Sequence, residues 1–236
     1  MQRTMHHKAG IALLLGALIS IFRVLPIVLS DGVSGDNFPP ESLDDVIFFS
    51  RLDGWHVSHV LFLVLLPLLG FGVVHLARTA AAGGAESASL MGTIVFGFSL
   101  IAYAVAIIFD GFVLPHVAEH PAASVPDSPQ AALVLFTHEA ASIVGGTASA
   151  LMLVSVLFLG LAQRRGAGQR TLGAVGIVIG GVAGLGYLTG VLDLNISDGF
   201  NRVGPLLMAT FVYLAATGVA LIRTASPDSS DQGALR

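Results

Sequence analysis

Apolar residues in this chain do not alternate with polar ones; they run on for about 20 residues at a time between short polar stretches. Six such runs occur, at roughly 9–29, 56–77, 90–114, 131–162, 172–193 and 204–223. Each approaches the ~20 residues that a helix needs to cross a hydrocarbon core of about 30 Å. Lipid offers no partner for a free backbone N–H or C=O, so spans of this kind are predicted to be helices. The short alternating segments of a membrane β-barrel are missing. The predicted fold class is therefore all-α: a polytopic bundle of six transmembrane helices forming a single domain over 1–225. The polar segment Ser226-Pro-Asp-Ser-Ser-Asp-Gln-Gly opens a tail, 226–236, predicted to be mobile. The fourth run is longer than a bilayer requires, which predicts tilt or projection into water. The first run follows a basic start as a signal peptide would, but its apolar region is too long and no convincing cleavage site follows, so it reads as a retained helix.

Composition supports this pattern. The chain is 54% hydrophobic and 11% charged, with a mean hydropathy of +0.84, whereas a soluble domain carries roughly a quarter charged residues. The absence of cysteine excludes disulfides, thiolate metal sites, cysteine nucleophiles and covalent c-type haem. With a net charge of -4 and scattered basic residues, nothing suggests nucleic-acid binding. No lysine lies in a span to form a retinal Schiff base, and no Gly-x-Ser-x-Gly elbow or phosphate-binding loop is present.

The basic residues also set an orientation. Arg3, Lys8, Arg78, Arg164, Arg165, Arg170, Arg223 and Arg236 fall in the N-terminus, the second and fourth loops and the tail, and only Arg51 and Arg202 fall in the other loops. By the positive-inside rule both termini are expected to be cytoplasmic. The long first loop, about 30–55, is then external and is expected to form a partly ordered cap. Gly176, Gly180 and Gly184, extended by Gly173, form a small-residue face on the fifth span, and Ser142, Gly145, Gly146 and Ser149 form another on the fourth. Such faces let helices approach closely in lipid, here each other, a partner subunit or a second copy. Pro26 and Pro67 are expected kinks. No internal repeat supports an inverted-repeat transporter.

Candidate chemistry gathers at one end of the spans. Of eight histidines, His56, His59, His116, His120 and His138 map to the external side, with Asp110, Glu139 and Asp193 at the same level. His56 and His59 are spaced i,i+3, and Pro115 and Pro121 bracket His116 and His120 as an i,i+4 pair on one short turn. His138 shares a helical face with Ser142, Gly145 and Ser149 and is expected to point inward. Nitrogen and carboxylate ligands without sulfur suit Zn, Cu(II), Fe or Mn. Ionisable groups inside a span are functional candidates because they are costly there. Structural roles compete: interfacial exposure for His56 and His59, solvent exposure for His116 and His120, helix caps for Asp110 and Asp193, a simple hydrogen bond for His138, and an ion pair between Glu139 and Arg23, which lies well inside the first span. His75 reads as an inner-interface residue. A haem between His59 and His138 is a weaker expectation, and His75 has only His6 and His7 near it as a partner for a second.

The segment Phe48-Phe49-Ser50-Arg51-Leu52, the stretch Leu65-Leu66-Pro67-Leu68 and the opening Leu172-Gly173 of a glycine-rich fifth span together resemble a widespread group of uncharacterised six-helix bacterial membrane proteins. The resemblance covers most of the chain. It implies the six-helix fold and a bacterial inner-membrane location, and it implies no activity.

Three functions are expected on these grounds. The leading one is an outward-facing site of His56, His59, His116, His120, His138 and Asp110 that binds a transition metal (Zn, Cu or Fe), with Glu139 as acid/base if the site is catalytic. The second is an accessory subunit of a larger pigment, quinone or respiratory assembly, docked through its glycine faces. The third is a proton-coupled transporter in which Asp110, Glu139 and His138 relay protons.

Overall fold

In the computed structural model the described backbone covers residues 2–34, 40, 42–166, 169–192 and 196–225, and the described side chains are those of the same residues other than 2, 183, 185–192 and 196–205. The expected cap on span five by Asp193, the side chain of Arg202 and the tail 226–236 lie outside the described residues. The described chain is helical, with α1 Gln2–Phe22, α2 Leu25–Val28, α3 Leu43–Ser50, α4 Asp53–Ala82, α5 Glu86–Ile108, a π-helical segment Phe109–Val113, α6 Leu114–Ala118, a 3-10 turn Pro121–Ser124, α7 Pro129–Arg165, α8 Arg170–Leu192 and α9 Ile196–Ala225. Among the described residues five stretches are long and apolar enough to cross a membrane: Arg3–Val28, Asp53–Ala82, Glu86–Ala118, Pro129–Arg165 and Leu206–Ala225. In the region of the expected fifth span, the fully described apolar part of α8 is the shorter piece Arg170–Val182.

Contacts divide the chain into two compact units, one of residues 1–20, 65–98 and 150–236, the other of 21–64 and 99–149. In the second unit, Pro26 explains the interruption after α1. It lacks an N–H, and its ring clashes with the carbonyl of residue 22, so helix stops at Phe22 and restarts at Leu25. The Ser30 hydroxyl donates to the Pro26 carbonyl at 2.7 Å.

The first loop contains the helix α3. Ser42 Oγ accepts from Asp45 N at 3.1 Å while Asp45 Oδ2 accepts from Ser42 N at 3.2 Å, a reciprocal capping box. Its apolar side chains divide between two clusters. Phe49 packs with Ile27 and Trp55, and Val46 and Ile47 pack with Leu114, Ala118, Ala123 and Val134. Arg51 Nη2 donates to the Ala118 carbonyl at 2.9 Å, which satisfies an acceptor at the end of α6. The start of α4, beginning at Asp53, is thereby fixed against α2, α3 and α6.

The first unit depends on close helix crossings. A Cβ on Gly173 would lie 2.7 Å from the Gly160 carbonyl oxygen, and one on Gly180 would lie 2.7 Å from that of Leu153, so α8 touches α7 backbone to backbone. A Cβ on Gly176 would lie 2.8 Å from the Tyr213 hydroxyl, which sets α8 against α9. The glycine face thus works at Gly173, Gly176 and Gly180, whereas a Cβ on Gly184 would meet nothing within 4 Å. On α7 the intimate contact is at Gly160; in the Ser142–Ser149 stripe, Gly145 meets only the Ala106 methyl, at 3.7 Å.

Candidate functional site

The chemistry of the second unit centres on Asp110, and Pro115 explains its placement. In the π segment the N–H of Leu114 reaches back five residues to the Phe109 carbonyl. By the same register Pro115 faces the Asp110 carbonyl, but proline has no N–H to give. The Asp110 carbonyl is therefore left to the Trp55 indole, whose Nε1 donates to it at 2.9 Å. A bulge of this kind rotates the residues before it off the regular helical face, and such bulges often sit at functional sites.

The carboxylate of Asp110 then bridges two histidines from different helices. His59 Nε2 of α4 lies 3.3 Å from Oδ2, and His138 Nδ1 of α7 lies 3.2 Å from Oδ1. His59 Nδ1 lies 2.7 Å from the Trp55 carbonyl, and its ring packs on the Trp55 indole with centroids 4.8 Å apart. Gly111 permits this geometry, because a Cβ there would sit 2.5 Å from His59 Cβ and 2.6 Å from its Cγ. The His59 side chain is 9% exposed, against 20% for His138 and 21% for Asp110. The centre is thus walled on the α4 side and reachable from the α7 side.

Proton counting gives the site its character. A carbonyl oxygen only accepts, so His59 Nδ1 carries a hydrogen. The contact between Nε2 and Oδ2 then holds one further proton, either on an imidazolium beside a carboxylate or on a carboxylic acid beside a neutral ring. His138 donates from Nδ1 to the other oxygen. Arg23, half-buried, places its guanidinium carbon 3.7 Å from the Phe62 ring centroid, a cation–π distance. The Tyr103 hydroxyl is 2.8 Å from Ser149 Oγ, both buried.

The remaining candidates fall elsewhere. His56 is exposed and sets its ring edge-on to Phe112 at 5.0 Å. His116 is exposed on α6. His120 is exposed and accepts from Ala122 N at 3.2 Å, capping the 3-10 turn. The expected five-histidine shell is therefore a pair joined through one carboxylate, and among the described residues no group of three or more His, Asp or Glu is placed to hold a metal ion. Glu139 is exposed. The expected Glu139–Arg23 pair is not formed, since the ion pairs among the described residues are those of Asp110 with His59 and His138. In the first unit His75 Nε2 lies 2.5 Å from His6 Nδ1, with the rings edge to face. His6, expected only as a neighbour, is a direct partner.

Sequence reasoning missed two features. The first is Trp55, whose i,i+4 spacing to His59 and the Asp110–Pro115 interval are the signals that point to the indole–carbonyl bond. Gln163, fully buried, organises the first unit. It accepts from the Tyr213 hydroxyl and its Nε2 donates to Gln169 Oε1 at 3.1 Å and Thr217 Oγ1 at 3.4 Å.

The fold and site define a class: an all-helical bundle, with five helices long and apolar enough to cross a membrane, that holds a His–Asp–His hydrogen-bonded centre. No family model matches the chain, and no curated protein or solved structure matches it.

Proposed function

We propose that the chain is a multi-pass protein of a bacterial inner membrane, with α8 as a sixth span and both termini cytoplasmic, whose Asp110 centre takes up a proton from the external side and passes it on in a proton-coupled process. The observation that carries this reading is the position of His59 between two acceptors, the Trp55 carbonyl and Asp110 Oδ2. One mobile proton is confined to the Nε2–Oδ2 contact, and His138, on the more exposed side, offers a route for exchange with water. Within the metal reading, both His59 nitrogens are already engaged, so direct ligation by His59 requires breaking one of its hydrogen bonds.

The test is proton entry into vesicles containing the purified protein and an internal pH dye after an external acid pulse. Wild type is expected to acidify the lumen, and Asp110→Asn to fall to the rate of protein-free vesicles. An Asp110→Asn rate equal to wild type overturns the reading. A specific observation keeps metal binding as a second reading: the Nδ1 of His138 is held by a carboxylate, as in many metal-bound histidines, leaving Nε2 to ligate. That reading expects stoichiometric Zn, Cu or Fe by elemental analysis, lost in His138→Ala.

A further inference from the structure

A separate feature of the first unit has no part in proton handling. Arg164 and Arg165 end α7 and Arg170 begins α8, and with Leu161 these three arginines line one open cleft of about 480 Å³. All three are exposed, and none is in an ion pair among the described residues. Here three guanidiniums fall within seven residues of a chain that has only 11 lysines and arginines.

The cleft is built on a fixed platform. Gly173 brings α8 so close to α7 that a Cβ there would lie 2.5 Å from Arg164 N and 2.8 Å from Arg164 Cβ. Buried Gln163, one residue before Arg164, is tied to Gln169, one residue before Arg170, at 3.1 Å. Tyr213 and Thr217 hold the same glutamine from α9. The backbone at both rims of the cleft is thus held on either side of the connection.

We infer that this arginine cleft binds the phosphate group of an anionic phospholipid. Planar guanidiniums pair with phosphate oxygens through two parallel hydrogen bonds, so three of them match a phosphate better than a carboxylate of a passing solute. Leu161 favours a lipid over free phosphate. It lies one turn before Arg164 on the same face, on the side of the apolar run, where a glycerol or upper acyl segment would rest. Basic clefts between spans on the cytoplasmic side are suited to such headgroups.

The test is lipid binding to the purified full-length protein in mild detergent, read by native mass spectrometry. The probes are dioleoyl phosphatidylglycerol and dioleoyl phosphatidylcholine, with inorganic phosphate as competitor. Each arginine near an anionic surface contributes roughly fivefold, so wild type is expected to prefer phosphatidylglycerol by on the order of a hundredfold. Arg164→Gln/Arg165→Gln/Arg170→Gln should lose that preference, and Arg3→Gln/Arg78→Gln/Arg223→Gln, with the same change in charge, should keep it. Equal binding of the two lipids by wild type overturns the inference without any variant. So does equal loss in both triple variants, which would make the effect one of net charge, and so does displacement of the lipid by millimolar phosphate.

Discussion

The buried Gln163 network of the first unit and the Asp110 centre of the second are built on opposite principles. In the first unit, Gln163, Tyr213 and Thr217 are neutral and almost wholly buried, and they are joined by amide and hydroxyl hydrogen bonds. In the second, Asp110, His59 and His138 are ionisable, and two of the three keep about a fifth of their side-chain surface exposed. A neutral network costs little to enclose once every donor has an acceptor, and it specifies one packing of the helices. An ionisable set must keep contact with water or with compensating charge. Enclosure fits the first to a structural role, and the partial exposure of the second is what the proposed proton chemistry requires.

The strongest way to break that contrast is at Gly111. Gly111→Val forces a branched side chain into the place of His59 Cβ and Cγ. Overpacking of this kind costs about 1–3 kcal/mol, and here it also drives His59 away from Asp110. Lower thermal stability together with loss of proton entry is expected in the vesicle assay. Normal proton entry in a folded Gly111→Val protein would show that the His59–Asp110 contact is dispensable.

Gln163→Leu tests the other side. The Tyr213 hydroxyl loses its acceptor while the side chain stays near the same volume. Side-chain hydrogen bonds between membrane helices are worth about 0.6 kcal/mol on average and up to about 1.7, so a loss near the upper figure is expected in detergent unfolding. Proton entry should be unchanged. A Gln163→Leu protein of normal stability but impaired proton entry would reverse the assignment of the two centres.

Trp55→Phe is the finer probe. It keeps an aromatic ring against His59 but removes the donor to the Asp110 carbonyl, an interaction worth about 1 kcal/mol. Stability should drop by about that amount, and proton entry should slow without being abolished, because the carboxylate contacts remain.

Five of the six expected runs coincide with described helices long and apolar enough to cross a membrane, and even the break before Leu25 follows from Pro26. The centre was legible only in its ingredients. His59, Asp110 and His138 stood among several residues at one depth, and depth does not reveal which side chains turn toward each other. His56 and His59 are three residues apart on one helix, yet one reaches Asp110 and the other faces Phe112. The choice is made by the π segment, which depends on a proline five residues after the aspartate. Gln163 was invisible for a different reason: it is a single neutral residue at the end of a run, and two of its three partners, Tyr213 and Thr217, lie 50 and 54 residues away on α9.

The smallest effect expected is also the one that separates the shared-depth reading from the observed pairing. His116 is exposed on α6 and enters no ion pair among the described residues. His116→Gln removes a titratable group from a surface position, where substitutions usually change stability by less than about 0.5 kcal/mol. Proton entry should match wild type across the pH range in which histidines titrate, while His138→Gln, at the same depth, should slow it. If His116→Gln alters the pH profile as strongly as His138→Gln, the functional unit is the wider histidine shell. Asp110, His59 and His138 would then be only the part of it that is drawn together before a metal or substrate binds.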